Sequence, residues 1–192
     1  MISLCITCRN RATLLERCLR TLLLPTPYAR ELVLTDWSST DRPPLQWIPQ
    51  LLDAQLPATY IFMDHAPFSR GRGLNVAARR AMYPFLFFLD TDMLVEPQVI
   101  EAAVRACAQG HAYFPICYSY TQPQSIGGYW RKEGFGITAM PRDLYEAAGG
   151  WDEFQHWGGE DIRMHERVAR LAPVERAQQP GLHHQWHPPS TR

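Results

Sequence analysis

Five consecutive apolar residues, Phe85-Leu86-Phe87-Phe88-Leu89, run directly into Asp90-Thr91-Asp92. A run of that length bounded by polar residues reads as a strand. Both of its faces are apolar, so it needs cover on both sides, which places it centrally in a parallel sheet. The flanking sequence supplies the cover. Residues 2–7 and 31–35 are short apolar strands, and residues 59–63 form a third. Thr13-Leu14-Leu15-Glu16 is a capping box. It opens a helix that carries Leu14, Leu15, Cys18, Leu19, Leu22 and Leu23 on one face, until Pro25 and Pro27 stop it. A polar loop, 36–41, leads to Pro43 and Pro44, which start a helix bearing Leu45, Ile48, Leu51 and Leu52. Ser69 precedes a basic, alanine-rich helix running to about residue 82. Strands alternating with helices make an α/β sandwich whose ligands bind at the carboxyl ends of the strands.

Beyond Asp92 the pattern changes. Residues 97–108 are a helix by the spacing of Val99, Ile100, Ala103, Val104 and Cys107, and 111–117 are strand-like. Residues 119–136, rich in Gly, Tyr and Gln, are expected to be a mobile loop over the site. Residues 135–140 read as a strand, 141–148 as a short helix ended by Gly149-Gly150, and 160–171 as another helix. The last ten residues read as irregular, with Pro188 and Pro189 among them and Pro180 just before. A length of 192 residues fits one domain. With 19 basic and 19 acidic side chains, the chain lacks the basic excess of a general nucleic-acid binder. No apolar run approaches the ~20 residues of a membrane span. The start lacks the basic and cleavable features of a signal peptide, so a soluble, cytoplasmic protein is expected. Five scattered cysteines do not form a disulfide framework. Cys5 and Cys8 form a C-x-x-C that a redox or zinc site could use, but it ends a strand and has no second pair, so small core residues are expected.

Four segments carry chemistry. Asp90 and Asp92 bring two carboxylates to the sheet edge, suiting a hard divalent ion that can bridge phosphates; a solvated strand end is the plainer alternative. Gly181-Leu182-His183-His184-Gln185-Trp186-His187 packs three imidazoles into five positions. They are an exposed tail, part of a zinc site, or the nitrogen half of an O/N sphere with the aspartates, which would favour Mn²⁺ over Mg²⁺. In Trp157-Gly158-Gly159-Glu160-Asp161 the glycines permit a tight turn and the acids open a helix. Capping alone explains one acid, whereas Trp151, Phe154 and Trp157 make a surface of the kind that faces sugars. Phe68-Ser69-Arg70-Gly71-Arg72-Gly73-Leu74-Asn75 sets two arginines at a helix start. Such a start attracts phosphate, unless it is only a solvated basic face continued by Arg79 and Arg80.

Together these residues resemble the nucleotide-sugar glycosyltransferases of the GT-A fold. Residues 4–11 and 35–41 look like the first and second strand ends of the large family-2 transferases. FSRGRGLNVA (68–77), FLDTDM (88–93), FGITAM (135–140) and WGGED (157–161) are similar to segments of the β-1,4-galactosyltransferases and chondroitin-polymerase domains. The likeness runs in order through nearly the whole chain. It implies a single GT-A (Rossmann-like) α/β domain over 1–192, with a mostly parallel central sheet flanked by helices. Residues 1–92 would be the nucleotide-binding half and 93–192 the acceptor-binding and metal-completing half. Thr7 and Arg9 would line the nucleobase pocket and Asp36 would bind uracil or ribose. Arg70 and Asn75 would sit near the diphosphate, with Asp90 close to the ribose or sugar. Asp90 and Asp92 would serve the metal, Asp92 directly, with His184 as the best-matching histidine, His187 next and His183 last. Asp161 matches the family's general base, while Glu160, Trp157 and Gly159 would hold the acceptor sugar. Two departures stand out. Thr35 replaces the usual aspartate of the family-2 loop, and Ile162 replaces a further acid after Glu160-Asp161.

The activity implied is a metal-dependent, inverting transfer of a hexose or N-acetylhexosamine from a UDP-sugar to an acceptor hydroxyl, with Mn²⁺ or Mg²⁺ as cofactor. The alternatives are a catalytically silent sugar- or nucleotide-binding module and a metal-dependent phosphohydrolase.

Overall fold

A computed structural model describes residues 1–28, 30–52, 56–64, 67–156 and 158–188. In chain order the first half contains β1 (Ile2–Cys8), α1 (Ala12–Leu22), β2 (Arg30–Asp36), α2 (Ile48–Leu52), β3 (Ala58–Phe62), α3 (Arg70–Arg80) and β4 (Phe85–Leu89). The second half contains β5 (Met93–Val95), α4 (Pro97–Ala108), β6 (Ala112–Tyr113), β7 (Ile116–Gln122), β8 (Ile126–Trp130), β9 (Thr138–Pro141), α5 (Arg142–Ala147), α6 (Glu160–Ala169), β10 (Val174–Glu175) and β11 (Gln178–His184).

The apolar run of β4 is the middle strand of a seven-stranded sheet of order β10-β6-β9-β4-β1-β2-β3. β4, β1, β2 and β3 are parallel, and β9 alone runs antiparallel to its neighbours β4 and β6. Alternate residues of β4 serve two separate cores, as its double-sided apolarity requires. Phe87 and Leu89 pack with Ile2, Leu4, Ile6 and the apolar faces of α1 and α4. Leu86 and Phe88 pack with Cys5 and Val33 against Leu74 and Ala77 of α3, Leu144 of α5 and Met164 of α6. The mostly parallel sheet expected from the sequence is present. Ile6 pairs with Leu89 and Cys8 with Asp36, so β1, β2 and β4 end at nearly the same level. That level edge positions the site.

Several local expectations are corrected. The capping box does not form. Helix α1 begins at Ala12, one residue before Thr13, and its N-cap Arg11 makes no side-chain cap. The loop after β2 lies across this helix start, and Asp41 Oδ2 accepts from the Ala12 N–H at 2.9 Å. Leu45 is exposed, because residues Pro44–Gln46 form a separate 3-10 turn and α2 starts only at Ile48. Residues 119–136 are not a loop throughout. β7 and β8 pair as an antiparallel hairpin, Tyr118 opposite Trp130. His183 and His184 sit on a strand, and His187 lies beyond its end. β11 pairs with β5 and β7 in a second sheet of order β5-β11-β7-β8, and Pro180 falls where the β11–β7 register shifts. A proline in a strand is tolerated at such an irregularity because no ladder N–H is required there.

All five cysteines are buried and free, so Cys5 and Cys8 are core residues. No helix among the described residues is long and apolar enough to cross a membrane. Ser69 caps α3 by accepting from the Arg72 N–H, and the first turn of that helix approaches the segment around Trp151. A methyl group on Gly71 would lie 2.0 Å from the carbonyl oxygen of Asp152. Gly71→Ala should therefore lower stability by about 1–3 kcal/mol, read as a lower urea midpoint with an unchanged slope. A wild-type midpoint would show that this close approach is not maintained.

Candidate active site

Residues from both halves of the chain meet at the carboxyl edge of the central sheet. The centre of the arrangement is Arg70, in the first turn of α3. Its Nε donates to Asp90 Oδ1 at 2.7 Å and its Nη2 to the carbonyl of Gly136 at 2.7 Å. Its guanidinium lies 5.0 Å from the ring centroid of Trp151. Nη1 is 3.7 Å from Glu160 Oε1 and has no hydrogen-bond partner among the described residues, as is also true of Glu160 Oε2. Burial acts against the charge, but Asp90, Glu160 and Asp161 outweigh it and raise the Arg70 pKa above its ordinary value. One cation thus ties α3, the end of β4, the link before β9 and the start of α6.

Two residues beyond Asp90, a second cluster forms between the two sheets. Asp92 Oδ2 lies 3.2 Å from His187 Nε2 and 3.7 Å from His184 Nε2. One ligand atom from each of these residues falls within 4.8 Å of the others. The backbone closes the cluster, since the Gln185 N–H donates to the Asp92 carbonyl at 2.8 Å. The outer nitrogens are also engaged. His184 Nδ1 is 3.2 Å from Ser119 Oγ, and His187 Nδ1 donates to the Pro188 carbonyl at 2.8 Å. Partners on Nδ1 direct both Nε2 atoms toward Asp92, the arrangement that orients imidazole ligands on a metal. One carboxylate oxygen and two imidazole nitrogens fit a first-row divalent ion better than Mg²⁺.

The electrostatics agree with close coupling among the three. Burial alone would raise the Asp92 carboxyl, but the His187 hydrogen bond, His184 and Arg11 hold it below the usual carboxylate value. Burial pushes the His184 imidazole down, whereas the hydrogen bond to Asp92 moves His187 up. His183 is not part of this trio: its ring stacks on Tyr120 at 5.4 Å and 6°. Asp90, expected beside Asp92 on the metal, stands outside the trio among the described residues because Arg70 claims its carboxylate.

At the ends of the adjacent strands β1 and β2 stand Thr7 and Asp36. Thr7 Oγ1 accepts from Thr35 Oγ1 and from Trp37 Nε1, both at 2.9 Å. Asp36 is buried and accepts from Ser39 Oγ at 2.5 Å and from Tyr60 OH at 2.6 Å. Arg9 is exposed at the same end of β1. Asn75, expected at the diphosphate, is committed elsewhere. Its Oδ1 accepts from the Trp151 N–H and from Tyr145 OH, while its Nδ2 donates to the Trp151 carbonyl and to Glu153. It locks α3 to the segment before α6. Arg70, likewise expected at the diphosphate, spends Nε and Nη2 within the protein.

On the other side, Gly158 and Gly159 both hold left-handed backbone, φ +88° and +95°, and turn the chain into α6. Glu160 is buried at its first residue. The Asp161 carboxylate accepts at Oδ2 from the Phe135 N–H at 2.8 Å. Trp157 lies outside the described residues. Sequence reasoning missed Ser119, Tyr60 and the backbone of Phe135 and Gly136. Ser119 leaves a trace, as the one small polar residue between Tyr118 and Tyr120 in a strand whose alternate faces differ; a backbone donor leaves none.

With this geometry in place, the chain can be set beside known proteins. The family model described as Glycosyl transferase family 2 matches residues 3–166. Human chondroitin sulfate N-acetylgalactosaminyltransferase 2 is 30% identical over 144 residues, 62% of this chain. The match spans only 27% of that protein's length. S. aureus TarS 1-349, in a crystal structure with UDP-GlcNAc, superposes with a TM-score of 0.79 at 14% identity, covering 98% of this chain and 59% of that one. The mannosyltransferase PcManGT of Pyrobaculum calidifontis, in complex with GDP-Man and Mn²⁺, gives a TM-score of 0.75 at 17% identity over 95% of this chain and 56% of the other. At such identities the two structures speak for the fold, which they share with this chain.

The Arg70 network makes its own prediction. Removing one partner of a buried ion pair costs about 3–5 kcal/mol where burial is full. Because Asp90 is partly exposed, Arg70→Ala should cost about 2–3 kcal/mol in chemical denaturation. A loss under about 0.5 kcal/mol, the size of an exposed pair, would contradict the hub.

Proposed function

The chain belongs to glycosyl transferase family 2, and from that premise we propose that it is a metal-dependent, inverting transferase moving a hexose or N-acetylhexosamine from a UDP-sugar to a hydroxyl of a glycan acceptor. The observation that carries this reading is the Asp92, His184 and His187 trio placed directly beyond the Arg70–Asp90 pair at the sheet edge. Further support comes from the relative named as an N-acetylgalactosaminyltransferase, from TarS crystallised with UDP-GlcNAc, and from PcManGT in complex with GDP-Man and Mn²⁺.

In this proposal residues 1–92 are the nucleotide-binding half and residues 93–192 complete the metal and acceptor sites. Thr7, Arg9 and Asp36 line the base and ribose. Asp90 faces the ribose or sugar with its carboxylate fixed by Arg70, and Asn75 shapes the diphosphate side from behind. Asp92, His184 and His187 hold Mn²⁺, with Mg²⁺ the poorer fit to two imidazoles. A divalent ion bound there supplies Lewis-acid stabilisation of negative charge on the departing diphosphate. Buried atoms without partners cost roughly 1–3 kcal/mol each, so Arg70 Nη1 and Glu160 Oε2 mark a place where a bound sugar or phosphate can satisfy them.

Glu160, Gly159 and Trp157 hold the acceptor sugar. Asp161 is the general base. Its Oδ2 is occupied by the Phe135 N–H, which leaves Oδ1 to take the proton as the acceptor oxygen attacks the anomeric carbon. The C–O bond to the diphosphate breaks as the new one forms, and a single displacement inverts the anomeric centre. A cytoplasmic location belongs to the same proposal, supported by five buried thiols that remain unpaired.

Two measurements test it. In calorimetry, UDP should bind in the presence of Mn²⁺, lose its affinity in excess chelator, and lose the metal effect in Asp92→Ala. Equal affinity with and without metal would remove the metal site from the mechanism. Asp161→Asn should keep metal-dependent UDP binding while turnover falls by roughly 10²–10⁴-fold; near-normal turnover would sink the base assignment.

A further inference from the structure

The segment between β8 and β9 carries two contacts that matter to the site on consecutive residues. The Phe135 N–H binds Asp161, and the Gly136 carbonyl binds Arg70. Yet residues 132–134 are exposed, and Gly134 has left-handed backbone, φ +91°, with open space where a side chain would be. Their own packing does little to hold this link.

Arg176 reaches it from the bend between β10 and β11. Its own backbone is fixed on both sides, by the Phe114 N–H on the Glu175 carbonyl and the Ile116 N–H on the Ala177 carbonyl, each at 2.8 Å. From there Nη2 donates to the carbonyls of Lys132 and Gly134, and Nη1 to the carbonyl of Phe114. The guanidinium carbon also sits 4.2 Å from the ring centroid of Phe135. The same ring stacks on His165 of α6 at 4.1 Å and 26°, and His165 meets Phe114 edge-on at 5.0 Å. His165 lies one helical turn after Asp161, so the stack joins the link to the helix that carries the candidate base.

We infer that Arg176 is a positioning residue: it clamps the 131–137 link onto α6 so that the Phe135 N–H stays on Asp161 Oδ2 and leaves Oδ1 aimed at the acceptor. The inference rests on the reading of Asp161 as general base. An arginine suits the task because one planar head both stacks on a ring and reaches several carbonyls in fixed directions. Lysine offers the charge without the fork.

Hydrogen exchange at the Phe135 amide, followed without any donor, gives the first readout. Exchange should accelerate by tenfold or more in Arg176→Ala and less in Arg176→Lys, with both variants checked for intact folding by thermal unfolding. Wild-type protection in both variants would overturn the clamp. The second readout is release of UDP from UDP-N-acetylgalactosamine with Mn²⁺ present. Arg176→Ala should lower kcat roughly ten- to hundredfold with little change in donor KM. Combined with Asp161→Asn it should add no further loss, since the two act through one group. A full additional loss in the double variant would show that Arg176 acts on the fold and not through Asp161. Full turnover by Asp161→Asn alone would instead fell the base reading, and it is seen independently of either Arg176 variant.

Discussion

The site depends on one largely buried cation. Arg70 stands where α3, the end of β4, the link before β9 and the start of α6 converge, and only α3 and β4 among these are neighbours in sequence. A guanidinium can serve four directions at once because its donors are spread in a plane and its face stacks on Trp151. Desolvating it is costly, and that cost is offset only while Asp90, Glu160 and the Gly136 carbonyl stay in place. The candidate acceptor acid and the first aspartate of Asp90-Thr91-Asp92 are therefore coupled through a shared counterion. A shift of α6 toward or away from the sheet changes the electrostatics of Asp90 directly.

The candidate metal trio obeys a different rule, strand parity. Consecutive residues of β11 face opposite ways, so His184 turns to Asp92 while His183 joins the rings of Tyr118 and Tyr120. β5 antiparallel to β11 brings Met93 opposite His184, which sets Asp92 at the right height. His187, beyond the strand, is returned to Asp92 by the backbone bond from Gln185 to the Asp92 carbonyl. The small second sheet thus presents His184, and the chain just beyond it His187, to a carboxylate that leaves the first sheet.

Legibility followed the range of the forces involved. The β4 run, the α4 helix and the order of the central elements were readable because short-range periodicity fixed them. The histidines were readable as a cluster, but not as a strand: Pro180 argued for irregular chain, and only pairing with β5 and β7 overrides it. The hairpin of β7 and β8 was hidden for the same reason, its Gly and Gln content imitating a loop. The failed capping box shows the converse. A local signal at Thr13 lost to Asp41, a carboxylate 29 residues away from Ala12. The commitments of Asn75 and Arg70 to protein partners had no sequence signal, since both residue types serve phosphate binding and internal bracing equally well.

The two departures from the family pattern gain a physical account. Thr35 is fully buried and gives its hydroxyl hydrogen to Thr7, which also accepts from Trp37. An aspartate at that position would bury a second carboxylate next to Asp36, itself buried and already satisfied by Ser39 and Tyr60. Neutral threonine ties the end of β2 to β1 without adding a second buried charge. Ile162 is exposed on α6, away from the Arg70 hub that absorbs Glu160 and from the backbone donor that holds Asp161. The position of the missing third acid thus faces solvent, and its loss leaves both acids at the helix start with their partners intact.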